Sequence, residues 1–523
     1  PFAGILHDLR SRAPFYLSDW VDGLKENITI LAPSTYIFFA SIIPALTFGE
    51  QLDDYTEGAL NGVHVILATA VCGAIQSILG GQPLLIVGVA EPIVLVYGYM
   101  YKIAKTANIP FVPWASATLF WVAIMLAGLA AINSCSYINH FSRFSGELFG
   151  LLIATLFFQE AIKGLYSEFH PLGSVVHSSS SMQTESRIWL MFNGSFSIVL
   201  AGGLLFTSLA SISMRHTVYF RRVLRHFISD YGTALAVLLW TLVSYIPKGV
   251  PDGIPRRLLI PNALDGSPNY TVLSRMQELE GWHWAAALIP AVIIAVLFFF
   301  DHNVSSQLAQ NVMDLKKPPA YHWDFLLLAI MTLICGLLGI PPVNGVIPQA
   351  PMHARANRKW FKEKHVEKGT AGQPGEEKIH LRAEIVENRV SNLIQSILCG
   401  ICLPLTFIIQ KIPRSVLWGF FAFMAIEGLP GNQFFERLLL FLTDRKQVFR
   451  LRSGHHPSFL DKVPMKTIQK FTLMQLVFLL ICYGITWAGI AGISFPLFIM
   501  IIVPARQKLF PKFFRDEDLQ HLD

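Results

Sequence analysis

Two carboxylates stand where a chain this apolar would be expected to avoid charge. Glu91 closes the stretch GQPLLIVGVAEP (residues 81–92), between two long hydrophobic runs. Asp301 is the single acidic residue between Glu280 and Asp314, in a run without Lys or Arg. Ionisable groups at membrane depth are costly, and where they occur they mark substrate or proton pathways. Either carboxylate could accept hydrogen bonds from substrate hydroxyls or carry a proton. The bland alternatives are that Glu91 only caps a helix and that Asp301 is an interfacial residue. His302 could titrate near neutrality or be a hydrogen-bonded structural residue. Glu160 and Lys163, three residues apart, are spaced to pair with each other on a helix.

The stretch around Glu91 has a counterpart. Aligned without gaps, GQPLLIVGVAEPIV (81–94) and GIPPVNGVIPQAPM (339–352) bring Pro83 onto Pro341 and Glu91 onto Gln349. Pro83, Pro341 and Pro342 stop a helix from continuing, and the branched residues around Ile86 and Val87 favour extended backbone. Helix can restart near Pro92 and Pro351, because Pro is tolerated in a first turn. Each stretch is therefore expected to be a short extended piece followed by a half-helix whose N-terminus points into the membrane. Its unpaired N–H groups and positive dipole end suit an anion or polar ligand. Irregular backbone at that depth is tolerated only where protein or a cavity satisfies it, so the two stretches should face each other and build one central substrate site. Glu91 would compete with an anion for the same positive end. Either it is protonated when an anion binds or it accepts hydrogen bonds from a hydroxyl-rich ligand, and both options suit a polyhydroxy acid better than chloride. The alternative is that Pro and Gly only kink two packed helices.

These residues must be positioned by elements that cross a membrane. With 53% hydrophobic and 15% charged residues and a mean hydropathy of +0.48, the chain is too apolar for a water-soluble protein. Apolar runs near the roughly 20 residues needed for a spanning helix recur at about 28–50, 60–79, 83–101, 114–136, 146–165, 189–211 and 231–247. They continue at about 283–312, 324–340, 341–356, 391–411, 414–430, 469–489 and 491–506. A barrel's alternating pattern is missing. The expected fold is an all-α integral membrane protein of 14 transmembrane segments in two seven-span repeats, inverted by parity, with half-helices in spans 3 and 10. Basic loops around Arg221, Arg358 and Arg445 then fall on one side, the cytoplasmic one, with both termini. The loop at about 248–282, with Lys248, Arg256, Arg257 and Arg275, falls outside and is the imperfect fit.

The remaining signals are weak. All six Cys lie in or beside apolar runs, which disfavours a redox role for the CGIC pair at 399–402. Neither HExxH nor Gly-x-Ser-x-Gly occurs and the His residues lack ligand spacing, which argues against an intramembrane enzyme, a metal or a cofactor. The net charge of +6 is explained by the cytoplasmic loops and implies no nucleic acid. Asn269-Tyr270-Thr271 matches a glycosylation pattern in the outer loop, while Asn193-Gly194-Ser195 lies too near the membrane. Residues Lys362 to Glu387 read as a mobile cytoplasmic loop, and FLTDRKQVFRLRSGHHPSF (441–459) as a basic stretch along the inner leaflet. The chain begins Pro1-Phe2 without Met and is expected to be trimmed at its start and to lack a cleaved signal peptide.

The segments YIFFASIIPALTFGEQL (36–52), GGQPLLIVGVAEP (80–92), FFDHNVSSQLAQ (299–310) and GLLGIPPVNGVIPQAPMH (336–353) closely resemble the borate efflux transporters of plants and fungi, relatives of the band 3 anion exchangers. The resemblance covers essentially the whole chain. It implies the uracil-permease-like fold and a homodimer with elevator-like movement in a plasma membrane or an endomembrane such as the vacuole. A core domain would comprise residues 1–140 (spans 1–4) and 283–411 (spans 8–11). A gate domain would comprise 141–250 (spans 5–7) and 412–523 (spans 12–14), with an extracellular loop at 251–282. The implied substrate is boric acid or borate, held by Gln82, Ala90 and Glu91 of span 3, Asp301 and Asn303 of span 8, and Ile347 and Gln349 of span 10. Asp301 and Glu91 would be the proton-coupling candidates. The anion exchangers carry an Arg at the start of the tenth-span half-helix and a Glu on the eighth span, where this chain has Gln349 and Asp301. An amide that both donates and accepts suits boron's ring of hydroxyls better than bicarbonate or chloride. Bicarbonate exchange is the alternative within the family, and an anion channel the alternative outside it.

Overall fold

A computed structural model describes residues 2–136, 143–170, 180–214, 217–258, 260–261, 275–311, 315–347, 349–366, 377–430, 432–443 and 463–522. The first half carries α1 (Leu31–Thr56), α2 (Gly62–Leu79), α3 (Glu91–Ala107), α4 (Phe111–Ala131), α5 (Arg143–Ser167), α6 (Ser180–Ser213) and α7 (Arg222–Val243). The second carries α8 (Leu288–Asn311), α9 (Tyr321–Leu338), α10 (Gln349–Ala356), α11 (Val390–Ile401), α12 (Arg414–Glu427), α13 (Met465–Thr486) and α14 (Phe495–Leu509). Local chemistry sets several boundaries. Asn61 accepts from Val63 N–H at 3.1 Å and its own N–H donates to His64 Nδ1 at 3.2 Å, a reciprocal cap on α2. Gly339 ends α9 in the left-handed conformation, at φ 67°.

Among the described residues nine helices are long and apolar enough to cross a membrane, and ten if the bent pair Ala491–Ile501 and Pro504–Lys512 counts as one span. The chain is thus a helical integral membrane protein. Full-length spans are fewer than the fourteen expected, because α3, α10, α11 and α12 are short. In α3 and α10 the shortening comes from the Pro-broken approach. In α12 it comes from Pro413 directly before the helix.

Helix packing falls into two sets. In one, α4 packs along α9, α2 along α11, α8 against α4, and α1 against α2, α3, α10 and α11. In the other, α12 packs between α5 and α6, α7 lies on α6, and α13 meets α5 and α14. Contact between the sets runs through α1 with α12, α3 with α5, and α8 with α14. Before α1, the amphipathic helices Ala3–Arg12 and Tyr16–Lys25 close one end of the first set. Asp8 caps α9 by accepting from His322 N–H (2.7 Å) and Trp323 N–H (3.2 Å), and Arg12 and Arg389 converge on Asp19 (3.2 and 3.3 Å).

One expectation fails where the chain is described. Of the stretch read as a mobile loop at 362–387, residues 362–366 and 377–385 are strands: β3 (Arg358–Val366) pairs with β4 (Glu377–Ile385), Arg358 opposite Ile385 and Val366 opposite Glu377, and residues 367–376 lie outside the described residues. The alternation of Ile379, Leu381, Ala383 and Ile385 with polar residues is the strand signal, masked by the mixed charge around it. Asn193 is buried in α6. Its amide donates to the Glu168 carbonyl (2.9 Å) and carboxylate (3.0 Å) and accepts from Arg256 N–H (3.1 Å), so it is a packing residue. Asn269-Tyr270-Thr271 and nearly all of the basic stretch at 441–459 lie outside the described residues.

Candidate functional site

The half-helices α3 and α10 restart where the alignment placed them, at Glu91 and Gln349. Their extended approaches meet as a two-residue sheet. In it β1 (Val87–Gly88) pairs antiparallel with β2 (Asn344–Gly345), and Val346 N–H donates to the Ile86 carbonyl at 3.0 Å. The numbering of β3 and β4 follows on from these two strands. Gly345 sits close to α8: a Cβ there would lie 3.0 Å from Ser305 Cβ and 3.3 Å from His302 Nδ1.

The irregular backbone is satisfied by side chains, as burial demands. Asp324 on α9 accepts from the N–H groups of Gly81 (2.6 Å) and Gln82 (2.9 Å). Asn392 on α11 donates to the carbonyls of Pro83 (3.2 Å) and Leu85 (3.0 Å), and His353 Nδ1 to that of Leu84 (3.0 Å). On the opposite approach, Gly345 N–H donates to His302 Nδ1 at 3.1 Å, and Asn344 Nδ2 donates to the Asp301 carboxylate. His302 thereby takes the neutral structural role, with Nε2 buried and unpartnered in the protein.

A small cavity of about 10 Å³, room for about one water, lies against the crossing. It is lined by Ser41, Pro44 and Ala45 of α1, Thr69 of α2, residues 86–89 around β1, and Val346 and Gln349. Of the seven sequence-predicted site residues, Gln349 lines it. Gln349 Nε2 donates to the Ala40 carbonyl at 3.3 Å, and its Oε1 is buried without a partner among the described residues. Ala90 is the extended residue before α3, its carbonyl accepting from Ile93 N–H at 3.0 Å. Glu91 is buried, one oxygen accepting from Gln51 Nε2 at 3.0 Å and the other unpartnered. Asp301 is buried against Asn344 of β2, and Asn303 is buried on α8, its Nδ2 returning to the Phe299 carbonyl at 2.7 Å. Ile347 packs half-buried against the main core. Gln82 stands apart, donating to Gln310 at the Asp324 anchor, which makes it part of the support for the extended chain.

The polar half of α8 is buried from Asp301 to Ser306, where β2 and its neighbours cover it. Ser41 and Thr69 were not anticipated. Single hydroxyls in an apolar run usually bond back to their own helix, as Thr69 does to the Val65 carbonyl (2.8 Å), whereas the Ser41 hydroxyl is buried without a protein partner.

A family model described as HCO3- transporter integral membrane domain matches residues 1–189 and 180–523. The chain belongs to this family. Relatives within reach include "Probable boron transporter 3" and "Boron transporter 4" of Arabidopsis thaliana. Each is 42% identical over all of this chain, and the match covers 80% and 87% of those proteins. "Anion exchange protein 3" of Danio rerio is 28% identical over all of this chain and 44% of its own length. Among solved structures, the transmembrane domain of a cyanobacterium bicarbonate transporter, BicA, superposes with a TM-score of 0.52. It is 14% identical and covers 86% of this chain and 96% of that one. SLC26A9 gives the same score at 12% identity, over 96% of this chain and 68% of that one. The family fold is therefore a membrane transporter fold.

Proposed function

We propose that this protein exports boron, as boric acid or borate, across a membrane by alternating access, with substrate held in the cavity beside the starts of α3 and α10. The observation that carries the reading is the polar part of that cavity. It offers Ser41, an amide oxygen on Gln349 without a partner among the described residues and the N-terminus of α10, with no cationic side chain among its described lining residues. Hydroxyls that both donate and accept match such a lining, whereas chloride has no donor to offer its acceptors. The full-length relation to proteins named boron transporters supports the same substrate.

The packing supports fourteen segments in two inverted repeats. Counting α1–α14 as segments, the α4–α9 and α11–α2 pairings are the same contact after exchanging the halves, as are α1–α10 and α8–α3, and α8–α4 and α1–α11. The two packing sets correspond to a core of segments 1–4 and 8–11 and a gate of 5–7 and 12–14, which an elevator movement would displace past each other. The exposed apolar faces of α6 and α7, with Phe206, Leu238 and Leu242, would meet lipid or a second copy in a homodimer.

The test is boron efflux from proteoliposomes at two imposed pH gradients, with wild type, Asp301→Asn, Glu91→Gln and Gln349→Arg. Boron flux that follows the gradient in wild type and stops following it in either carboxylate variant supports proton-linked export through this site. A preparation that moves bicarbonate and no boron overturns the boron assignment in favour of bicarbonate exchange.

A further inference from the structure

On the reading of two bodies moving past each other, with a cytoplasmic N-terminus, we propose that Arg414, Glu50 and Asp54 form the lock that shuts the outer side of the cavity. Gln51 ties that lock to the substrate site. The outer half of α1 carries two polar stripes at helical spacing. Glu50 and Asp54 form the first and both reach Arg414 on α12, at 2.8 Å to its Nε and 2.8 Å to its Nη2. Gln51 and Tyr55 form the second. Gln51 Nε2 donates to Glu91 at 3.0 Å and to the Tyr55 hydroxyl at 3.3 Å, and Tyr55 reaches Glu160 on α5 at 3.5 Å. Adjacent residues of one helix thus hold the gate-side cation and the site carboxylate.

Arg414 is an anchored post. It opens α12, its N–H donates to the Arg256 carbonyl at 3.0 Å, and the neighbouring Arg257 bridges Pro413. Its side chain is 3% exposed and that of Glu50 2%, whereas that of Asp54 is 48% exposed, so the cluster runs from dry interior to wet surface. Two residues inward of Glu50 along α1, Phe48 packs against both Phe157 of α5 and Phe421 of α12, at 6.1 and 5.5 Å, and those two rings stack at 5.4 Å. An apolar plug therefore sits beneath the charged clasp. Separating α1 from α12 would part buried opposite charges, which is tolerable only if water enters between them. The closed outer side is thereby favoured until the site changes its hold on Gln51.

The test uses the full chain in proteoliposomes with Ala45→Cys as reporter in the cavity. Labelling by a membrane-impermeant maleimide from the outer face is read at that residue by mass spectrometry, with and without boric acid. Slow labelling in the reporter alone, roughly tenfold faster labelling in Glu50→Gln, and slow labelling restored by keeping the cation in Arg414→Lys are expected. A boric acid response that disappears in Gln51→Leu is expected for the coupling. Glu50→Gln labelling at the reporter's rate while boron flux persists overturns the lock and leaves the transport reading intact. An opened Glu50→Gln with no boric acid response in the reporter alone supports the lock and overturns the substrate reading instead. An unchanged response in Gln51→Leu overturns the coupling.

Discussion

The starts of α3 and α10 occupy matched positions in the fold and are held in different ways. The approach to α3 is pinned by three elements, through Asp324, Asn392 and His353, and its first residue is a carboxylate with one oxygen on Gln51 and one unpartnered. The approach to α10 is held by side chains of α8, His302 and Asp301, and by its pairing with β1, and its first residue is an amide facing the cavity. The contrast separates the two carboxylates singled out at the start. Asp301 is engaged in positioning Asn344, whereas one Glu91 oxygen has no partner among the described residues, and on that ground we propose Glu91 rather than Asp301 as the proton carrier.

Making α10 resemble an anion exchanger should break the contrast most severely. Gln349→Arg puts a cation into a lining that has none, and boron flux is expected to fall by about tenfold or more while inorganic anion flux rises, both read in the same liposomes. Making the two starts alike by Glu91→Gln should leave the fold intact. It should abolish the response of boron flux to the pH gradient, and Asp301→Asn should lower flux with the response retained; equal loss in both would assign the proton to the pair. On the support side, Asn392→Ala leaves two buried carbonyls without a donor, and a loss of about 1–3 kcal/mol is expected in thermal unfolding in detergent. The smallest effect is expected of Gly345→Ala. Its methyl group would press on Ser305 and cost about 1 kcal/mol, visible as a modest drop in melting temperature.

Much of the crossing was legible in the chain itself. Pro83 with Pro341 and Pro342 marks the breaks, Val87 the extended residues, and Pro92 and Pro351 the restarts, because proline acts on backbone within a residue or two of itself. The ribbon at 358–385 could have been read from its alternation and was hidden by charge. Ser41 offered no such signal, since nothing local distinguishes a hydroxyl that faces a cavity from one that bonds back to its helix. Glu50 was equally silent: its partner Arg414 lies on the far side of the sequence, and only packing brings them within 2.8 Å.

The sequence by itself determined that the chain lives in a membrane, where its helices break and restart, and which carboxylates stand out, because hydropathy and proline chemistry are local. Tertiary structure decided which polar groups meet. Asp301 became a support for β2, Gln82 part of an anchor at Asp324, and Gln349 the predicted residue that lines the cavity, because in a close-packed interior each buried polar atom must take whichever partner the crossing of distant segments supplies.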